Sequence, residues 1–69
     1  MAEEAFLSRM VVELEELDKK IEKLQEFTEG EVFKELSAIE KQLLYIQVST
    51  MSTYGATLST RIDITRSKD

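Results

Sequence analysis

QLLYIQVSTMSTYGATLST, residues 42–60, contains no charged residue, although 33% of the 69-residue chain is charged. The stretch is too polar to cross a membrane, since it holds Gln42, Gln47 and seven Ser or Thr. A helix face in water normally carries Lys and Glu. A helix that avoids charge on every side is enclosed by protein on most of its sides. One short partner helix cannot enclose it. The stretch therefore predicts an all-α fold in which this helix is the centre of a homo-oligomer.

Just before the stretch, Ser37-Ala38-Ile39-Glu40 reads as a capping box. In that motif the serine hydroxyl accepts from the N3 amide and the glutamate reaches back to the N-cap amide. The helix it opens is expected to run over residues 38–62 or a little beyond, with residues 63–69 a polar, fraying tail. Leu44, Met51 and Leu58 repeat every seven residues, and Gln47, Tyr54 and Arg61 interleave with them as the expected seam. Gly55 costs about 1 kcal/mol in a helix interior relative to Ala, which a close backbone crossing would offset. Small hydroxyl residues let neighbouring helices approach and can bond the i−4 carbonyl.

The first helix is expected to start near residues 2–4, where Glu3 and Glu4 suit the positive end of its dipole. Leu7, Met10, Leu14, Leu17, Ile21 and Leu24 are spaced three, four, three, four, three. That is an a/d coiled-coil seam. Phe6, Val11 and Phe27 widen it. Glu15 with Lys19, and Glu16 with Lys20, are favourable i,i+4 pairs on the outer face. Gly30 reads as a left-handed C′ residue, ending the helix around residues 27–29. Residues 31–36 form the connector, with one helical turn and with Val32, Phe33 and Leu36 plugging the end of the pair. A short connector makes the helices antiparallel. The fold expected is an antiparallel helical hairpin, one domain over residues 1–69, with Leu24 near Leu44, Leu17 near Met51 and Met10 near Leu58.

Composition sets the outer limits. A chain of this size buries only about 60% of its unfolded surface and needs a staple. There is no Cys, hence no disulfide and no thiolate metal site. There is no His, the commonest metal ligand and acid/base group. Oligomerisation is the staple that remains. Nothing suggests a cofactor or metal. A net charge of −5 argues against DNA and anionic membranes as partners. The acidic N-terminus lacks the apolar core of a signal peptide, so a cytoplasmic location is expected. No catalytic constellation or phosphate-binding glycine loop is visible, and an enzyme is not expected.

The basic residues fall into two groups on the hairpin. Lys19, Lys20 and Lys23 lie toward the turn; Arg9, Arg61 and Arg66 lie at the opposite end. In the plain reading, Lys19 and Lys20 serve Glu15 and Glu16, and Arg66 belongs to the tail. Arg61 stands in register with Gln47 and Tyr54 just past the charge-free stretch. It needs an acidic partner, a helix end or an anionic ligand. Tyr54 reads as a core residue with its hydroxyl at the edge, or as a ring that stacks on a base. Tyr45, between Leu44 and Ile46, reads as packing.

Three patterns carry a resemblance: L-D-K-K-I-E-K-L-x-x-F at residues 17–27, V-F-K-E-L at 32–36, and E-K-Q-L-L-x-x-Q-x-x-x-M-x-x-Y-x-x-x-L-x-x-R-I at 40–62. They resemble the small phage proteins related to a crAss-like phage gene product. Those in turn are similar to the anti-CBASS cyclic-oligonucleotide sponge of tailed phages. The resemblance spans most of the chain and departs at Thr28 and Lys41. It implies a hairpin assembled into a hexamer that does no chemistry. It implies binding of cyclic di- and trinucleotides in distinct pockets between protomers, which evades immunity in the host bacterial cytoplasm. Carried over by position, it points to Lys23 for a dinucleotide pocket and Arg61 for a trinucleotide pocket, with Arg9, Tyr54 and Thr57 behind them. The alternative is a purely structural or protein-interaction helical oligomer of phage origin, in which Arg61 pairs with a carboxylate.

Overall fold

The computed structural model describes residues 2–67, with side chains from residue 4 onward, so Glu3 lies outside the described side chains. It contains α1 (Ala2–Thr28), a single-turn α2 (Glu31–Lys34) and α3 (Ala38–Arg66). α1 and α3 pair antiparallel: Phe6 meets Arg61, Glu13 meets Tyr54, and Lys23 lines a groove with Gln47. The rod measures 50 × 14 × 14 Å, which matches helices of about 40 Å at 1.5 Å per residue.

The expected seam of α1 holds. Leu7, Leu14, Leu17, Ile21 and Leu24 are half-buried and Met10 is buried. On α3 the expected seam is corrected. Lys41, Leu44, Val48, Met51, Gly55, Leu58, Ile62 and Thr65 face inward, spaced three and four alternately. Gln47, Tyr54 and Arg61 are exposed on the flank. Both patterns share Leu44, Met51 and Leu58; they differ in which residue sits between them. In the observed register Gly55 lies against Leu14 and Leu17, and Ile62 joins Met10 and Leu58 in the core. Met10, Leu58 and Ile62 form the buried core, with Leu7, Val11, Leu14 and Leu17 packed around it. Leu58 is 0% exposed. The core thus sits at the end of the rod away from the turn, in the Met10–Leu58 register the sequence predicts.

The turn corrects a second expectation. Gly30 is not left-handed: its φ is −89° and ψ 173°, and it is the N-cap of α2. α1 closes with two tight i,i−3 bonds, from Glu29 N to Glu26 O and from Gly30 N to Phe27 O, both 3.1 Å. An extended residue then leads straight into α2, so no positive φ is required. Within α2 Lys34 pairs with Glu31 at 3.3 Å. Phe33 is buried at the end of the hairpin, edge-on to Phe27 at 6.4 Å and to Tyr45 at 5.4 Å, with the Lys41 ammonium 5.7 Å from its ring centre. Tyr45 makes this edge contact but is 57% exposed, less buried than its expected packing role implies.

Ser37 caps α3 by accepting from Glu40 N at 3.2 Å. The return bond from Glu40 to the Ser37 amide is not formed among the described residues, so the box is half closed. α3 runs on through residues expected to fray. Buried Ile62 anchors this last part, and Ser67 closes the end by donating from N to Asp63 O at 3.0 Å and from Oγ to Ile64 O at 2.9 Å. Arg66 in the last turn suits the negative end of the helix. The rest of the expected tail, residues 68 and 69, lies outside the described residues. The expected pairs of Glu15 with Lys19 and Glu16 with Lys20 are not closed; the one ion pair among the described residues is in α2. Holding two long exposed side chains together costs nearly as much entropy as the pair gains.

Candidate anion-binding edge

Gln47, Tyr54 and Arg61 recur every seven residues, so they stand in line along one flank of α3, spaced about 10 Å apart. Across the same flank α1 presents Lys20 and Lys23, then Glu13, then Phe6. Residues the sequence placed on a buried seam therefore form one polar edge of the rod.

At the turn end of this edge lies an open groove of about 340 Å³. Lys20, Lys23, Leu24 and Phe27 of α1 and Gln47 and Met51 of α3 line it. Three apolar side chains give it a surface for a flat ring; two ammonium groups and an amide give it donors. Neither lysine has a carboxylate within ion-pair distance among the described residues. Sequence reasoning picked Lys23 but assigned Lys20 to Glu16 and Gln47 to the core. The signal for both was the spacing: Lys20 and Lys23 are three apart on a helix, and Gln47 is one heptad before Tyr54.

At the other end an open ledge of about 350 Å³ runs along α3, lined by Thr53, Ala56, Thr57, Thr60 and Arg61. Thr57 and Arg61 are one turn apart and share it. The Arg61 guanidinium carbon lies 5.5 Å from the centre of the Phe6 ring, and no carboxylate among the described residues pairs with it. An exposed cation–π contact of this kind contributes about 0.5–1 kcal/mol. Such a contact uses the guanidinium charge without consuming a hydrogen-bond acceptor, so its N–H donors keep their capacity for another partner.

Between the two ends the Tyr54 hydroxyl donates to Glu13 Oε1 at 2.6 Å. The phenol pKa is raised, first by this hydrogen bond, then by desolvation and the Glu13 charge, while Arg61 pulls it down. Tyr54 is 43% exposed. Arg9 stays on its own helix, its Nε donating to Ala5 O at 3.4 Å; it lines neither groove. The structure thus brings Thr57 to Arg61, sets Lys23 apart at the far end, and leaves Tyr54 between. Glu13 and Phe6, which touch Tyr54 and Arg61, were not among the site residues expected from sequence, where Phe6 was read only as widening the α1 seam.

A second feature of α3 overlaps the ledge, sharing Thr53, Thr57 and Thr60 with it. Ile39, Leu43, Ile46, Thr50, Thr53, Thr57, Thr60 and Ile64 are spaced four and three alternately, and all are exposed. Thr50, Thr53, Thr57 and Thr60 donate their hydroxyls to the carbonyls of Ile46, Ser49, Thr53 and Ala56 at 2.9–3.0 Å. With each hydroxyl turned onto its own backbone, the methyl is the group left outward. The stripe is therefore more apolar than its composition suggests. It is a second heptad seam with no partner among the described residues.

The Sequestin family profile matches residues 4–64. The chain belongs to the Sequestin family. The match takes in both helices, both grooves and Arg61, and ends two residues before Arg66. No curated protein and no solved structure gives a significant match. The family name is consistent with a sequestering role. No helix among the described residues is long and apolar enough to cross a membrane.

Proposed function

We propose that this Sequestin is a phage-encoded, non-catalytic sponge that sequesters cyclic di- and trinucleotide messengers of bacterial anti-phage defence in the host cytoplasm. The observation that carries the reading is the polar edge. It bears two groups of cations, Lys20 with Lys23 and Arg61, without carboxylate partners among the described residues, beside apolar surface, on a chain whose net charge is −5. Free cations on an acidic protein suit a small anion rather than a long nucleic acid. Phosphodiesters meet the ammonium and guanidinium donors; bases lie on Leu24, Phe27 and Met51. The half-open grooves become pockets when a second copy covers the α3 stripe. A homo-oligomer, in the resemblance a hexamer, supplies that cover.

A purely structural role would place Arg61 in an ion pair. It rests on Phe6 instead, which favours the binding reading. The deciding experiment is calorimetric titration of the purified protein with cyclic GMP–AMP and cyclic tri-AMP. Heat with saturation at a fixed number of ligands per oligomer supports the sponge. No heat from any of a panel of cyclic di- and trinucleotides rejects it.

A further inference from the structure

We propose that the Tyr54 hydroxyl is a positioning group that keeps Arg61 open to a ligand anion by engaging the Glu13 carboxylate. This deepens the reading of Arg61 as an anion site and rests on it. An anion site in an acidic chain has internal competitors, and Glu13 is the one the fold aims at Arg61. Long side chains on a helix lean toward its N-terminus. The helices are antiparallel, so Glu13 leans along α1 toward the end where Arg61 sits, and Arg61 leans along α3 toward Tyr54. By this rule the two side chains lean toward one another. Tyr54 feels both of them, since Glu13 raises its pKa and Arg61 lowers it. Yet Glu13 and Arg61 do not pair.

Each is held by something else. Glu13 accepts from Tyr54 across 2.6 Å, a short hydrogen bond to a charged acceptor. Arg61 lies over Phe6 at 5.5 Å. Arg9, one turn before Glu13, is the other cation within its reach, and its Nε already donates to Ala5 O. Removing the Tyr54 hydroxyl frees the carboxylate. Arg61 is the guanidinium on this edge and has no carboxylate partner among the described residues, so a Glu13 to Arg61 ion pair then occupies the donors a phosphodiester would use.

The full-length protein, Tyr54→Phe, Glu13→Gln and the double variant give the test, read in two ways. The first is the Nε–Hε NMR resonance of Arg61 in ligand-free protein, assigned by its loss in Arg61→Lys. The second is calorimetric affinity for cyclic tri-AMP. Tyr54→Phe shifts the Arg61 resonance and weakens cyclic tri-AMP by roughly two- to five-fold, the factor an exposed ion pair imposes on a competitor. The double variant returns both to the wild-type values. An Arg61 resonance unmoved in Tyr54→Phe overturns the proposal. So does an affinity loss that persists in the double variant, which would mean that Tyr54 touches the ligand itself. If the wild type binds no cyclic tri-AMP, the sponge reading loses its trinucleotide site, and the Arg61 resonance decides the present proposal alone.

Discussion

Gly55 of α3 lies against Leu17 of α1, so that a β-carbon at position 55 would meet Leu17 Cδ2 at 3.6 Å and Leu14 Cδ1 at 3.8 Å. These are ordinary van der Waals distances. The glycine is buried in the seam, but the hairpin does not require it. Gly55→Ala therefore gains helix propensity of about 1 kcal/mol at no steric cost. The melting temperature should rise by about 4–8 °C, as expected for a domain of this size. A fall would show that something outside the hairpin, such as another copy, approaches the backbone at this point.

Leu58 is the side chain fully enclosed, and it joins Met10 and Ile62 in a core that has few other members. Leu58→Ala removes a buried isobutyl group and leaves a cavity, a loss of about 2–5 kcal/mol. A chain of this length has a total stability of only about 3–10 kcal/mol. Thermal melts followed by circular dichroism should show the variant largely unfolded at 37 °C. By contrast Leu43→Ala, on the exposed stripe, should leave the helical signal of the separated chain unchanged. Equal losses from both would contradict the assignment of inner and outer seams.

The hairpin was legible in the sequence because α1 puts Leu, Ile or Met at every seam position. α3 was not legible in the same way. Leu44, Met51 and Leu58 belong to two heptad registers at once, and the true one passes through Gly55. A glycine has no side chain to count as apolar, so the register through Tyr54 looked equally good. The candidate site inherited that error. Gln47, Tyr54 and Arg61 were correctly grouped by spacing but placed inside instead of on the edge. Their partners Phe6 and Glu13 lie where the predicted Met10–Leu58 register puts them, but with Tyr54 and Arg61 placed on the inner seam nothing pointed to the flank of α1 beside them. The charge-free stretch is explained only in part by the hairpin, which covers one of its faces.

The raised pKa of Tyr54 makes stability depend on alkaline pH. The folded phenol holds its proton to higher pH than the unfolded one. Where the unfolded chain has lost the proton and the folded one has not, stability falls as pH rises. The contribution is complete below the ordinary tyrosine value of about 10 and is lost as pH climbs through the folded value. Ultraviolet titration of a Tyr45→Phe background should show Tyr54 ionising late. Glu13→Gln should bring it back down, since Glu13 supplies the hydrogen bond and the charge that raise it. A titration unchanged by Glu13→Gln would mean that the bond at 2.6 Å does not persist in solution.

The threonine stripe tests self-association without touching the hairpin. Thr53 is exposed and lies near the middle of the second seam. Thr53→Glu places a carboxylate there, repeated in every copy, which desolvation and like-charge repulsion oppose. Sedimentation should show the wild type as an oligomer and the variant as a monomer of 8.0 kDa, with helical content retained at high concentration. A wild-type monomer would remove the oligomer from the reading of α3 altogether.

Lys23 and Arg61 should separate ligands by size. They stand at opposite ends of the edge, Lys23 lining the groove with Gln47 and Met51 and Arg61 lining the ledge with Thr57. They are thirty-eight positions apart in sequence, but the hairpin brings them to within about 20 Å along the rod, since Gln47 and Arg61 are fourteen residues apart on α3. One cyclic dinucleotide is too small to use both. A hydrogen bond from a charged donor to a phosphodiester is worth about 1.5–3 kcal/mol, so each truncation should cost roughly 10- to 150-fold in affinity for the ligand it serves. Lys23→Ala should weaken cyclic GMP–AMP and spare cyclic tri-AMP; Arg61→Ala should do the reverse. Neither should change the mass of the assembly, because neither residue lies on the inner or the outer seam. Parallel losses of both ligands in both variants would merge the groove and the ledge into one site. Loss of the assembly in either variant would return that cation to a structural role.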